Sequence, residues 1–173
     1  TITDNTGVGN SLGSFRGGGI QSSGGATTVM KNSIVAGNNG NGGPADCVGT
    51  LTPDSKWNLI GDDTDCTITS FVFTYLLNVD PDLAILNNNG GPTRTHATNS
   101  SSPAREAAYE FPPPAIDACE PFDQRGVPRP QGGDGQSPRC DMGAYEWTSS
   151  NAFVTSLILV DADTDTEIGP LLY

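Results

Sequence analysis

Four stretches hold residue types that could do acid–base or metal chemistry. In GGPTRTHA (residues 90–97), Arg94 and His96 suggest an acid–base pair. The glycines and proline before them demand a defined turn, so both are read as structural. Arg94 is expected to pair with an acid or with carbonyls, and His96 to hydrogen-bond a loop. DQRGVPRPQ (123–131) carries Arg125 and Arg129, with Asp123 and Asp141 as expected partners. Such pairs would pin a loop that lacks regular hydrogen bonds. In DADTDTEIG (161–169), Asp161, Asp163 and Asp165 alternate. On a strand they would share one face and repel, which a cation would relieve. An EF-hand would need Gly and Glu where this chain has Thr166 and Leu172, so that motif fails. GDDTD (61–65) is a second acidic loop. Calcium at either is the one ion considered; otherwise no cofactor is expected. Asn99 opens NSS, an acceptor pattern for an N-linked glycan.

The four cysteines, Cys47, Cys66, Cys119 and Cys140, form no CxxC knuckle, and the single His is distant from all of them in sequence. Zinc is therefore disfavoured, and two disulfides in an oxidising compartment are expected. Four cysteines admit three connectivities, between which the sequence alone does not choose. Local pairing, Cys47 with Cys66 and Cys119 with Cys140, is the expectation. The net charge of −12, with only 8 Lys and Arg, offers no basic stripe for nucleic acid. No segment is long and apolar enough to span a membrane as a helix. The first residue, Thr1, lies inside a strand-like run, and no signal peptide is present. The expectation is a piece of a longer exported chain.

The elements that must position these residues are short strands. Gly (22) and Pro (13) make up about a fifth of the 173 residues, with Asn, Asp, Ser and Thr abundant. That chemistry favours many turns over long helices. TITDNTG (1–7) resembles SIVAGNNG (33–40), and GGGIQSSGG (17–25) with ATTVMKNS (26–33) lies between them. Ile2, Ile20, Val29 and Ile34 are the natural inward residues of such repeats. Short strands punctuated by Gly and Asn are the pattern of a β-solenoid. The expected fold is all-β: the last coils of a right-handed parallel β-helix over residues 1–69, then an irregular C-terminal cap over 70–147. Residues 70–83 are the most apolar stretch before the C-terminus and are expected to cover the open end. SSPAREAAYE (101–110) could form one helical turn. Residues 148–154 read as a linker, and 155–173 as the start of a further β module opening with a strand at 155–160.

NSIVAGN (32–38), NLIGD (58–62), NNGGPTRTHA (88–97) and PAIDACEPFDQRGVPRPQGGDGQSPRCDMGAYE (114–146) together resemble the C-terminal region of bacterial surface β-helix proteins called choice-of-anchor Q domain proteins. The resemblance covers about residues 17–147. It implies a secreted or cell-surface protein, one cysteine pair bracketing the NLIGD strand and the other flanking DQRGVPRPQGG. Where the family commonly has SPAIDAG after THA, this chain inserts SSPAREAAYEFPPPAIDAC, which lengthens the cap.

The parallel β-helix is also the fold of pectate lyases and pectinases, which need a basic proton acceptor with calcium, or two placed carboxylates. Residues 1–46 contain only Asp4 and Asp46 as acids and Arg16 and Lys31 as bases. That set is too poor for a catalytic groove, and fold analogy alone does not assign an activity. Whether the whole protein is an enzyme stays open, with the reading leaning against it. The leading expectation is a non-catalytic extracellular or cell-surface structural or adhesion protein, partnered by surface proteins or glycans. One alternative is an accessory part of a polysaccharide lyase or hydrolase with its active site elsewhere. The other is a subunit of an extracellular filament or larger oligomer.

Overall fold

The computed structural model describes residues 1–8, 17–22, 25–40, 42–69, 74–109, 119–131 and 139–148, and the backbone of residues 158–160 and 167–170. The described part is strand-rich and contains no α-helix. In chain order the strands are β1 (Ile2–Thr3), β2 (Ile20–Gln21), β3 (Ile34–Ala36), β4 (Asn39–Gly40), β5 (Gly43–Pro44), β6 (Cys47–Leu51), β7 (Asn58–Ile60), β8 (Asp65–Ile68), β9 (Tyr75–Leu77), β10 (Ile158–Val160) and β11 (Glu167–Pro170).

The chain alternates between two parallel sheets. One is four-stranded in the order β1-β3-β7-β9, the other three-stranded in the order β2-β6-β8. Register is continuous along the first sheet: Thr3 faces Ala36, Val35 faces Ile60 and Ile60 faces Leu77. In the second, Ile20 faces Cys47 and Gly49 faces Cys66. β4 and β5 form a small antiparallel hairpin between successive passes. The parallel ladder runs on past residue 69, because β9 is the fourth strand of the first sheet. That strand extends the ladder, where the sequence suggested a cover for its end.

Successive side chains on a strand point to opposite faces. In β3 and β7 both faces are buried, and so these strands read as unbroken apolar runs. Ile60 packs on one side with Cys47, Leu51 and Tyr75, between the two sheets. Ile34, Ala36 and Leu59 pack on the other with Ala104, Ala108, Cys140 and Met142 of the C-terminal segment. The loop-rich cap therefore lies against the broad face of the first sheet. SSPAREAAYE forms turns and bends over its described residues. Its backbone is held by Met142 N–H to the Ala104 carbonyl (2.8 Å) and Ala108 N–H to the Cys140 carbonyl (2.9 Å). Val29, expected to face inward, is 56% exposed. Its neighbour Met30 packs against the inter-sheet core instead.

Polar side chains from one pass satisfy the corners of the preceding one. Asn58, fully buried, accepts from Ser33 N–H (3.0 Å) and donates Nδ2 to the Met30 carbonyl (2.8 Å). Ser55 Oγ accepts from Met30 N–H and donates to the Thr28 carbonyl. Short strands leave many backbone groups without ladder partners, and these side chains take their place.

Both disulfides are local: Cys47 with Cys66, and Cys119 with Cys140. The first staples neighbouring strands β6 and β8; the second ties the cap to itself. Loops closed across 19 and 21 residues are worth about 3 kcal/mol each in the chain-entropy model. Full reduction is expected to lower the urea midpoint in proportion. An unchanged midpoint would show that the bridges constrain nothing the core does not already hold.

Beyond residue 148, β10 and β11 pair antiparallel. The strand expected at 155–160 is present at Ile158–Val160 and has a hairpin partner in Glu167–Pro170. Residues 149–154 of the expected linker lie outside the described residues.

Candidate functional site

Two polar regions are candidates, a network in the cap and a groove along the first sheet.

In the cap, Asp123 is buried and accepts along both oxygens. Oδ1 receives the N–H groups of Arg125 (2.7 Å) and Val127 (3.0 Å). Oδ2 receives Arg125 Nε (2.8 Å) and Glu146 N–H (2.9 Å), and lies 2.7 Å from Arg125 Nη2. Burial alone would raise its pKa, but these bonds from Glu146, Val127 and Arg125 outweigh it and hold it below the usual value. The Arg125 guanidinium also stacks over the Tyr145 ring at 3.7 Å, and Arg105 over Trp147 at 3.6 Å. These contacts seat the residues that end the cap.

Arg129 pairs differently from the expectation. Its Nη1 and Nη2 donate to the carbonyls of Asp141 and Gly143 (2.6 Å each), and its Nε lies 3.6 Å from the Glu146 carboxylate. Asp141 contributes its main chain to Arg129 and gives its carboxylate to the N–H groups of Glu106 (2.8 Å) and Trp147 (2.6 Å). Glu146, fully buried, accepts from Gln131 N–H (2.8 Å) and Asp141 N–H (3.0 Å). The sequence reading missed Glu146, because it stands 17 positions beyond Arg129 and no motif couples them.

Burial, with the neighbouring Asp141 charge, raises the Glu146 pKa to about 7 against the backbone bonds that lower it. Asp141 is raised too, chiefly by burial. A carboxyl with a raised folded pKa binds more protons folded than unfolded between the two values. Stability must then fall as pH climbs from 4.5 towards 7, on the order of 3 kcal/mol for Glu146. The lowered pKa of Asp123 acts oppositely: its contribution is present above 3.8 and disappears as pH falls through the lower folded value. Thermal melts should therefore show greatest stability in mild acid. In Glu146→Gln the decline between pH 5 and 7 should flatten, and an unaltered slope would place its origin elsewhere.

The groove runs beside the corners that follow strands of the first sheet. Asp4 follows β1, Gly37 follows β3, Gly61 and Asp62 follow β7, and Asn78 follows β9. Asp4, Gly37 and Asn78 have positive φ (58°, 72° and 56°), the left-handed bend that turns the chain out of the sheet. The outer wall is the segment 79–85 with His96. The hollow measures about 910 Å³ and is lined by Thr3, Asp4, Asn39, Asp62, Asp80 and His96, among others. At its floor, buried Asp46 accepts Asn38 N–H (2.7 Å), Asn38 Nδ2 (2.8 Å) and Asp62 N–H (2.8 Å). Asn38 in turn receives Asn5 N–H and Nδ2 and donates to the Ile2 carbonyl.

His96 Nδ1 lies 2.8 Å from the Ala84 carbonyl, an acceptor, so Nδ1 carries the proton. Nε2 lies 4.0 Å from Asp4 Oδ2. Arg94 is exposed; its carbonyl accepts from Gln124 Nε2 at 3.5 Å. Arg94 and His96 do not form a catalytic pair with each other, since the imidazole is committed to Ala84 and faces Asp4. Asn99 is exposed, but its Nδ2 donates to Asp82 Oδ1 (2.8 Å), and Ser101 Oγ binds the other oxygen of the same carboxylate. The sequon thus caps a turn. In the GDDTD loop, Asp62 Oδ1 receives Thr64 N–H (2.9 Å). Among the described residues no group of three or more His, Cys, Asp or Glu is arranged to hold a metal. Asp161, Asp163 and Asp165 lie outside the described residues.

Comparison with protein-family models, curated proteins and solved structures finds no match for this chain.

Proposed function

We propose that this chain is the terminal part of a right-handed parallel β-helix of an extracellular or cell-surface protein, with a structural or adhesive role, as its resemblance to choice-of-anchor Q domain proteins implies. The observation that carries the reading is the regular alternation of the chain between two parallel sheets, β1-β3-β7-β9 and β2-β6-β8. Parallel strands joined this way are almost always connected with right-handed crossovers. Stacked passes that bury one thin core make a long, stiff body suited to projecting from or coating a surface. The two disulfides favour an oxidising compartment outside the cytosol. The cap fits the same role. Its carboxylates bond chiefly to backbone N–H groups of the cap itself, which spends their chemistry on holding the cap in shape.

The test is retention of the oxidised protein on immobilised glycans and purified cell-surface proteins, alongside assays for new reducing ends and unsaturated products on a panel of polysaccharides. Retention without turnover supports the reading. Turnover by this chain, or retention on nothing in either set, overturns the adhesive role.

A further inference from the structure

Resting on that reading, we propose that the groove beside the first sheet binds a neutral or amino-bearing oligosaccharide lying across the corners of successive passes.

Four corners supply polar groups in sequence along the ladder: Asp4, then Asn39, then Asp62 and Thr64, then Asn78 and Asp80. Register sets their order, because Ile2, Val35, Ile60 and Leu77 succeed one another along the ladder and each corner follows its strand. Adjacent parallel strands are about 4.8 Å apart, close to the length of one sugar ring, so a linear saccharide would meet a fresh corner at each residue. The hollow, about 910 Å³, is large enough for a short oligosaccharide.

The groups offered are mostly acceptors. The carboxylates of Asp4, Asp62 and Asp80 accept only. His96 has its Nδ1–H engaged by Ala84 and presents Nε2 on the groove side, 4.0 Å from Asp4 Oδ2. The carboxylates favour a ligand that donates, as hydroxyl and ammonium groups do, while Asn39, Thr64 and Asn78 can also donate to it. No Lys or Arg is found among the described residues lining the groove, so a uronate would meet the carboxylates there with no described counter-charge. Val79 and Ile85 supply apolar surface along the outer wall, with Ile85 82% exposed. Sugar rings present C–H faces to such a surface and hydroxyl edges to the polar corners. A Lys-rich peptide would satisfy the carboxylates but has no feature that repeats with the strand spacing.

Binding is to be measured by calorimetry on the oxidised chain with chitin, chitosan and polygalacturonate oligomers and with oligolysine. The wild type is compared with Asp4→Lys in the groove and Thr50→Lys on the exposed face of β6. Both substituted residues are exposed; because Asp4 bends at φ 58°, Asp4→Asn, which tolerates that conformation, is measured alongside to separate lost binding from backbone strain. The expected result is binding of chitin or chitosan oligomers, weakened at least tenfold by Asp4→Lys and unchanged by Thr50→Lys, with polygalacturonate the weakest. Tighter binding of polygalacturonate or oligolysine overturns the proposal. So does saccharide binding indifferent to Asp4→Lys, or no saccharide binding at all. If Asp4→Lys is still retained on the surface ligands of the adhesion assay like the wild type, the groove proposal fails while the adhesive function stands.

Discussion

Asp123→Ala should lose about 3–5 kcal/mol of unfolding free energy, the range for removing one partner of a buried ion pair. Asp123 is the most heavily engaged carboxylate of the cap. It receives three backbone N–H groups and the Arg125 side chain. Alanine takes the acceptor from the three N–H groups and leaves an Arg125 charge, its side chain only 8% exposed, with the Asn89 and Glu146 carbonyls but no counter-ion. Urea unfolding read through the aromatic signal of Tyr145 and Trp147 measures the loss. The double variant Asp123→Ala, Arg125→Leu separates the charge from the loop. If the unpaired guanidinium dominates the penalty, the double variant should be less damaged than the sum of the singles. If Asp123→Ala loses less than about 1 kcal/mol, the network is decoration on a cap held by its apolar contacts.

Asp46→Ala should be the corresponding break in the strand region, with a loss of about 3 kcal/mol. Asp46 ties the corner after β3 to the corner after β7, by accepting Asn38 and Asp62 N–H groups on different oxygens. Each buried donor left unsatisfied is worth about 1–3 kcal/mol, and Asn38 Nδ2 loses a partner as well. Asp46→Asn keeps one oxygen but turns an amine towards a donor, and should fall between the two. Gly61→Ala tests the same joint from the other side. A Cβ there would stand 2.7 Å from Asp46 Oδ2 and 2.9 Å from Ala36 Cβ, so the carboxylate must give way. Equal stability of Asp46→Ala and wild type in urea would mean that water replaces the carboxylate at no cost.

What the sequence determined by itself was local. Gly, Pro and Asn spacing announced short strands and excluded long helices, because turn preferences belong to one residue and its neighbours. The same repeats marked Ile34 as core, which it is, and Val29, which the structure leaves exposed. Asp123 and Arg125 could be paired on sight, since they are two positions apart and lie in one turn. Glu146 as the carboxylate beside Arg129, Asp46 as the joint between passes, and the gathering of Asp4, Asp62, Asp80 and His96 in one groove were decided only by the tertiary structure. Each depends on separate turns of the chain meeting at ångströms, and no sequence period encodes that meeting. The position of the cap was decided the same way. Residues 104–108 and 140–142 are too short and irregular to show a face of their own. They lie on the broad side of the first sheet because Ile34, Ala36 and Leu59 point there and must be covered.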